Sequence, residues 1–181
     1  MNRSRSPFWS AALALAAACP GVAQQQPTSL AALTQRADVI ALASVTNSVL
    51  AQPQLRRVVL RSDEVLKGAL GATFTLTEPA GRCCGRSLFT LQAGHARLVF
   101  LRRVGPTLHV LAGERGLVPA EPELVADVRA LLDAGGGAAL TNLLVQQLTA
   151  TTPRVADDAA AALAAQPALS LSDPQRAEVA A

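Results

Sequence analysis

In Thr73-Phe74-Thr75-Leu76-Thr77 apolar and polar side chains alternate without a break, which is the clearest strand signal in the sequence. Successive side chains of a β-strand point to opposite faces. Phe74 and Leu76 are therefore predicted to lie on a buried face and the three threonines on an exposed one. This pattern predicts a half-buried strand.

Four further segments around this strand have the composition of strands. Residues 37–46 are apolar and β-compatible, whereas residues 55–66 carry both arginine and aliphatic side chains on each face. Residues 96–104 and 107–112 are separated only by a short Gly-Pro link of the kind that joins a hairpin. Five short strands separated by turn residues predict a small, closed or nearly closed antiparallel barrel.

A short helix is predicted just before the first strand, at residues 29–36, with Thr28 or Ser29 as its N-cap. After Pro119 the apolar period changes from two to about 3.6, which predicts helices. The first ends at the glycines of residues 135–137, and the next has its apolar stripe within 140–149.

Two more helices are predicted, one beginning at Thr152-Pro153 and one at Ser172-Asp173-Pro174. Residues 140–149 and 154–165 together resemble a single unit of the HEAT-repeat type. The expected fold class is thus α+β: a small antiparallel five-stranded barrel in residues 24–118, followed by an acidic α-helical segment in residues 119–181.

The N-terminal residues 1–23 have the organisation of a secretory signal peptide. Arginines precede a short apolar run, and Gly21-Val22-Ala23 supplies small residues for cleavage before Gln24. The run is too short to span a bilayer, so we expect a secreted or periplasmic protein with no transmembrane segment after cleavage. The alternative is a lipid anchor at Cys19, whose preceding residues match a lipoprotein acylation box imperfectly.

The low aromatic content and the distribution of charge indicate which partners the protein can bind. After removal of the signal peptide the chain has no Tyr or Trp, and its only aromatic residues are Phe74, Phe89 and Phe100. Such a chain lacks the stacking platforms that bind single-stranded nucleic acid, so no nucleic-acid partner is expected. Residues 24–118 hold eleven Arg or Lys against five Asp or Glu, and residues 119–181 hold three against eight. We expect the acidic segment to pack on the basic one and offset its charge.

The adjacent pair Cys83-Cys84, flanked by Gly81 and Gly85, is the most unusual local feature. In an oxidising compartment such a pair can close a strained disulfide, bridge to another chain or remain as thiols. Cys83 and Cys84 are therefore the disulfide or redox candidates, with a structural turn as the simpler interpretation. No CxxC spacing is present, so no metal site is expected at these cysteines. We also expect no cofactor.

His95 and His109 are isolated in sequence, and no GxSxG or HExxH motif accompanies them. A triad could be assembled from His109 with a distant Asp and Ser, but any chain of this size offers such a set. No catalytic residue is therefore assigned.

Short motifs in a particular order resemble the netrin-like module that tissue inhibitors of metalloproteinases share. They are residues 37–40, 64–68, 77–80, 84–88 and 96–100. The resemblance covers roughly residues 28–118 and implies a secreted, OB-like five-stranded barrel. It does not imply metalloproteinase inhibition, because those inhibitors chelate zinc with an N-terminal Cys-x-Cys segment and Gln24-Gln25-Gln26-Pro27 has no cysteine.

The expected function is that of an exported, non-enzymatic binding or envelope accessory protein whose partner is an unidentified protein. One alternative is a small thiol-dependent or hydrolytic enzyme using Cys83, Cys84 or His109. The other is a protease inhibitor that uses a different loop.

Overall fold

A computed structural model of the chain describes residues 29–52, 55–79, 82–83, 86–87 and 91–165. The predicted signal peptide, Cys19 and the helix predicted at Ser172-Asp173-Pro174 lie outside these residues. The fold is α+β, with a six-stranded antiparallel sheet followed by helices. The predicted fold class is confirmed at this level, and the predicted boundaries at residues 23 and 118 stay predictions.

Eight strands are present in the described residues. They are β1 (Val39–Gln52), β2 (Leu55–Lys67), β3 (Thr73–Pro79), β4 (Arg82–Cys83), β5 (Arg86–Ser87), β6 (Ala96–Val104), β7 (Thr107–Val110) and β8 (Leu117–Pro119). The main sheet has the order β3-β2-β1-β6-β7, and β8 pairs with β6 beside this path. The short β4 and β5 form a separate two-stranded ribbon.

The strand predicted from the threonine alternation is confirmed. Phe74 and Leu76 are buried, and the three threonines are exposed. The strand predicted at residues 107–112 ends early, at Val110, because Ala112 adopts a left-handed conformation with φ 56°. The following charged turn is a 3₁₀ helix, Gly113–Gly116, and it leads into β8, which is too short to produce a periodic signal.

The two central strands, β1 and β6, are covered on both faces where Val39–Leu42 pairs with Leu98–Leu101. Val39 and Ala41 of β1 join one apolar cluster with Val99 and Leu101 of β6. The alternate residues of the same strands, among them Phe100, belong to a second apolar cluster that includes the helices. The sheet therefore has an apolar inner face and an outer face that helices cover only at its centre.

The helices are α1 (Leu30–Arg36), α2 (Pro122–Ala134), α3 (Gly137–Gln147) and α4 (Pro153–Ala164). The predicted Ser29 cap is confirmed, because its hydroxyl accepts a hydrogen bond of 3.2 Å from the Ala32 N–H. Thr152 occupies the N-cap position of α4 but makes no capping bond. Its hydroxyl instead donates to the Glu123 carboxylate, which competes for it.

Helix α1 contacts α2 and α4, and α3 packs against α2 and α4. An ion pair joins α2 to β2. Arg129 of α2 donates to both carboxylate oxygens of Glu64 on β2 at 2.7 Å. In this pair the helix supplies the basic residue and the sheet the acidic one, which is the reverse of the expected packing of an acidic segment on a basic one. Both side chains are about half exposed, so the pair contributes roughly 1 kcal/mol or less to stability.

Candidate functional site

The two ends of the main sheet, β3 and β7, lie beside each other without pairing in register. Strand directions alternate along the path, so β3 and β7 run parallel. A cavity of about 320 Å³ opens between them. We call it the edge groove, and its lining residues are Phe74, Thr75, Thr77, Pro106, Thr107, Leu108 and His109.

Strand alternation sets the chemistry of the edge groove. Phe74 and Leu108 lie on the inner, apolar face of their strands, whereas Thr75, Thr107 and His109 lie on the exposed face. The Gly105-Pro106 turn joins β6 and β7 as the sequence predicts. Its Pro106 lines the groove next to the first residue of β7. The result is an apolar floor with hydroxyl groups and an imidazole at its margins.

The tautomer of His109 follows from its hydrogen-bond partners. The Thr107 Oγ1 atom lies 2.8 Å from the Val104 carbonyl oxygen and 3.0 Å from His109 Nε2. A carbonyl oxygen only accepts, so the Thr107 hydroxyl donates to Val104. That hydroxyl has no second hydrogen, so the two hydrogen bonds form together only when His109 Nε2–H donates to Thr107. In the neutral ring Nδ1 is then the acceptor.

This arrangement is not that of an activated nucleophile. In a nucleophile–base pair the hydroxyl donates to the ring nitrogen, whereas here Thr107 accepts from His109. Among the described residues that line the edge groove, none carries a carboxylate that could orient the imidazole. The groove can offer hydrogen bonds through three threonines and a histidine, and it can cover an apolar group on Phe74 and Leu108.

Glu78, which was not among the candidate residues from the sequence, lies near the end of β3. It is 6% exposed and continues the inner face of Phe74 and Leu76, and neither carboxylate oxygen has a hydrogen-bond partner among the described residues. Burial raises the pKa of Glu78, and the charge of Arg56, its register partner on β2, opposes this shift. The alternation itself was the available signal, since it places a glutamate in phase with two apolar residues.

The two histidines are far apart. His109 pairs with Arg102 near the end of β6, and His95 immediately precedes the start of that strand. The intervening strand separates the two by roughly 20 Å, at about 3.3 Å per residue. The described part of the chain contains no group of three or more His, Cys, Asp or Glu residues that could hold a metal ion.

The backbone of Cys83 lies in β4, where it pairs with Arg86 of β5. Cys84 lies outside the described residues, so the disulfide or redox interpretation of Cys83 and Cys84 stays a prediction. None of the described helices combines the length and the apolar character that crossing a bilayer requires.

Comparison with known proteins adds no family: the chain matches no protein-family model and no curated protein.

Proposed function

We propose that this chain is an exported, non-enzymatic binding or envelope accessory protein that holds its partner in the edge groove. The observation that carries the proposal is the groove itself, an opening between two sheet edges lined by Thr75, Thr77, Thr107 and His109 over an apolar floor. Unpaired strand edges offer backbone N–H and C=O groups as well as side chains. The direction of the Thr107–His109 hydrogen bond favours binding over hydrolysis.

The sheet is further proposed to be an OB-like barrel related to the netrin-like module. The strand order β3-β2-β1-β6-β7, with the two end strands side by side, supports a barrel whose last seam is open. An OB-fold is a five-stranded, partly open barrel. The apolar inner cluster, formed by residues of β1, β2, β3 and β6, supports the same arrangement.

Export rests on the sequence of residues 1–23 alone. Amino-terminal sequencing of the protein from the exported fraction tests it, and a mature chain beginning at Gln24 is the expected result. A lipid on Cys19 would instead give a chain that begins at that cysteine. The uncut chain in the cytosol would contradict export altogether.

Site-specific photo-crosslinking tests the binding surface. A photoreactive residue is placed at Thr75 or at Thr107, which are exposed at the groove, and as a matched control at Gln146, which is exposed on α3. The proposal predicts that both groove positions capture the same exported partner and that the control does not. Equal capture from all three positions would contradict a partner held in the groove.

Thiol titration separates this proposal from a thiol-dependent enzyme. A stable disulfide or two unreactive thiols at Cys83 and Cys84 agree with a binding protein. A thiolate with a pKa well below the ordinary cysteine value at either position would favour the enzyme.

A further inference from the structure

A second cavity lies on the opposite side of the molecule from the inner face of the sheet, where α1 and α2 meet the end of β2. Its volume is about 260 Å³. We call it the helix cavity, and its lining residues are Ala31, Thr34, Gln35, Lys67, Leu131, Leu132, Gly135 and Leu140. Nothing in the edge-groove proposal depends on this cavity.

Lys67, the only lysine of the chain, brings a positive charge to the helix cavity. Its ammonium group donates to the carbonyl oxygens of Thr34 at 2.8 Å and Gln35 at 3.3 Å, at the end of α1. These two bonds use two of its three N–H groups. The ammonium is therefore fixed in place and keeps one donor for a further acceptor.

Thr34 supplies a second, independent indication. Its residue is 3% exposed and its hydroxyl has no hydrogen-bond partner among the described residues. A buried hydroxyl without a partner is unfavourable, which is why such groups are rare in folded proteins. Thr34 lines the helix cavity, and its hydroxyl, which is closed to solvent, would have to turn toward the cavity to share an acceptor with the free N–H of Lys67.

The rest of the lining is apolar. Leu131, Leu132 and Leu140 come from α2 and α3, and Ala31 comes from α1. A cavity of about 150 Å³ suffices for benzene, so one of this volume holds a molecule of about eight to ten non-hydrogen atoms. No carboxylate is among the described lining residues, and the cationic end is not already neutralised from within the cavity.

We propose that the helix cavity binds a small monocarboxylic acid with a short apolar tail. The carboxylate accepts from the Lys67 ammonium and from the Thr34 hydroxyl, and the tail packs between the three leucines. A carboxylate is favoured over a neutral acceptor because its hydrogen bonds with an ammonium group are charge-assisted.

Titration of the full exported chain with hexanoate, hexan-1-ol and hexylamine tests this assignment by calorimetry and by amide and methyl NMR. A ligand of this size is expected to bind with a Kd of about 1 mM or below. Hexanoate should bind at least about tenfold more tightly than the alcohol, and the amine should not bind. Signals of Ala31, Leu131 and Leu140 should shift, and those of Thr75 and His109 in the edge groove should not.

Two variants locate the contacts. Thr34→Val removes the hydroxyl without changing the shape of the side chain, and we expect it to weaken hexanoate about five- to tenfold while the chain stays folded. Lys67→Gln keeps a donor for the carbonyls of α1 but removes the charge, and it should abolish the preference for the acid over the alcohol. Gln146→Glu, exposed on α3 away from the cavity lining, is the control and should change neither quantity.

Three outcomes would overturn the proposal: equal affinity for acid and alcohol, unchanged hexanoate affinity in Thr34→Val, or shifts that map elsewhere. Absence of any hexanoate binding would also overturn it and would leave a water-filled cleft. None of these outcomes bears on the edge groove, whose partner is tested separately by crosslinking.

Discussion

The central strands β1 and β6 and the edge strands β3 and β7 belong to one sheet but differ in what covers them. Val39–Leu42 of β1 pairs with Leu98–Leu101 of β6, and both strands are sandwiched there between the inner cluster and the helices. On their inner face β3 is buried and β7 is half-buried, and their outer face carries threonines and His109. A strand covered on both sides contributes stability, whereas a strand covered on one side has groups left over for binding.

Central and edge strands should differ most in the stability lost when one phenylalanine in each is truncated. Phe100 of β6 is fully buried beneath the helices, whereas Phe74 of β3 is 8% exposed and lines the edge groove. We expect Phe100→Ala to lower the free energy of unfolding by about 5 kcal/mol and Phe74→Ala by about 3 kcal/mol. Urea denaturation of the two variants measures the difference. Equal losses would mean that the edge strand is as firmly enclosed as the central one.

Gly68 directly follows β2, where the sheet meets the end of α1. It has φ +76°, and a Cβ atom at this position would lie 2.3 Å from the Asp38 carbonyl oxygen. Backbone strain and this clash together should make Gly68→Ala cost about 2–3 kcal/mol. Gly94 is the matched control, because it has φ +87° but open space around it.

Gly94→Ala is therefore expected to cost only about 1 kcal/mol, the share that comes from the positive φ alone. Thermal unfolding of both variants separates the two contributions. A loss of the same size at both positions would show that the close approach of Gly68 to Asp38 does not matter.

Asp127 is a buried residue of α2, one of the helices that cover the central strands, and it makes the stability of this region depend on pH. Burial, followed by the charge of Asp158, raises the pKa of Asp127 to about 6, although Gln147 donates a hydrogen bond to it. Between about pH 4 and 6 the unfolded chain loses this proton before the folded chain does. Stability therefore falls as the pH rises through this window, and the loss is complete above pH 6.

Asp127→Asn keeps an acceptor for Gln147 but cannot ionise. We expect it to raise the free energy of unfolding at pH 7 by about 2 kcal/mol and to leave stability nearly unchanged at pH 4. Chemical denaturation at both pH values measures this. An equal effect at pH 4 and pH 7 would contradict ionisation of Asp127 as the cause.

The sequence predicted most about those parts of the fold in which local pattern and tertiary environment agree. The alternation of Thr73 to Thr77 predicted β3 because one face of this strand is exposed. The apolar run at residues 37–46 predicted a strand but not its two-sided burial, since a helical cover is a long-range property. β8 was missed because a three-residue strand carries no period.

The candidate sites were less accessible from the sequence. His109 was selected, but its hydrogen bond with Thr107 and the neighbouring β3 depend on the path of the sheet. Lys67 and Thr34 are 33 residues apart in the chain, and only the packing of β2 against α1 brings their groups together. Buried polar groups such as Glu78 cannot be assigned to a site without knowing what lies opposite them.

Native-state hydrogen exchange along β3 tests most directly whether the edge groove is open. Antiparallel pairing with β2 engages only alternate backbone N–H groups, and the others face the edge groove. If the groove is open, amides of Thr73 to Glu78 should fall into two alternating sets, one slow and one faster by orders of magnitude, and a bound partner should slow the second set. Uniformly slow exchange along β3 without a partner would mean that β7 already closes the seam, and it would contradict an open edge groove.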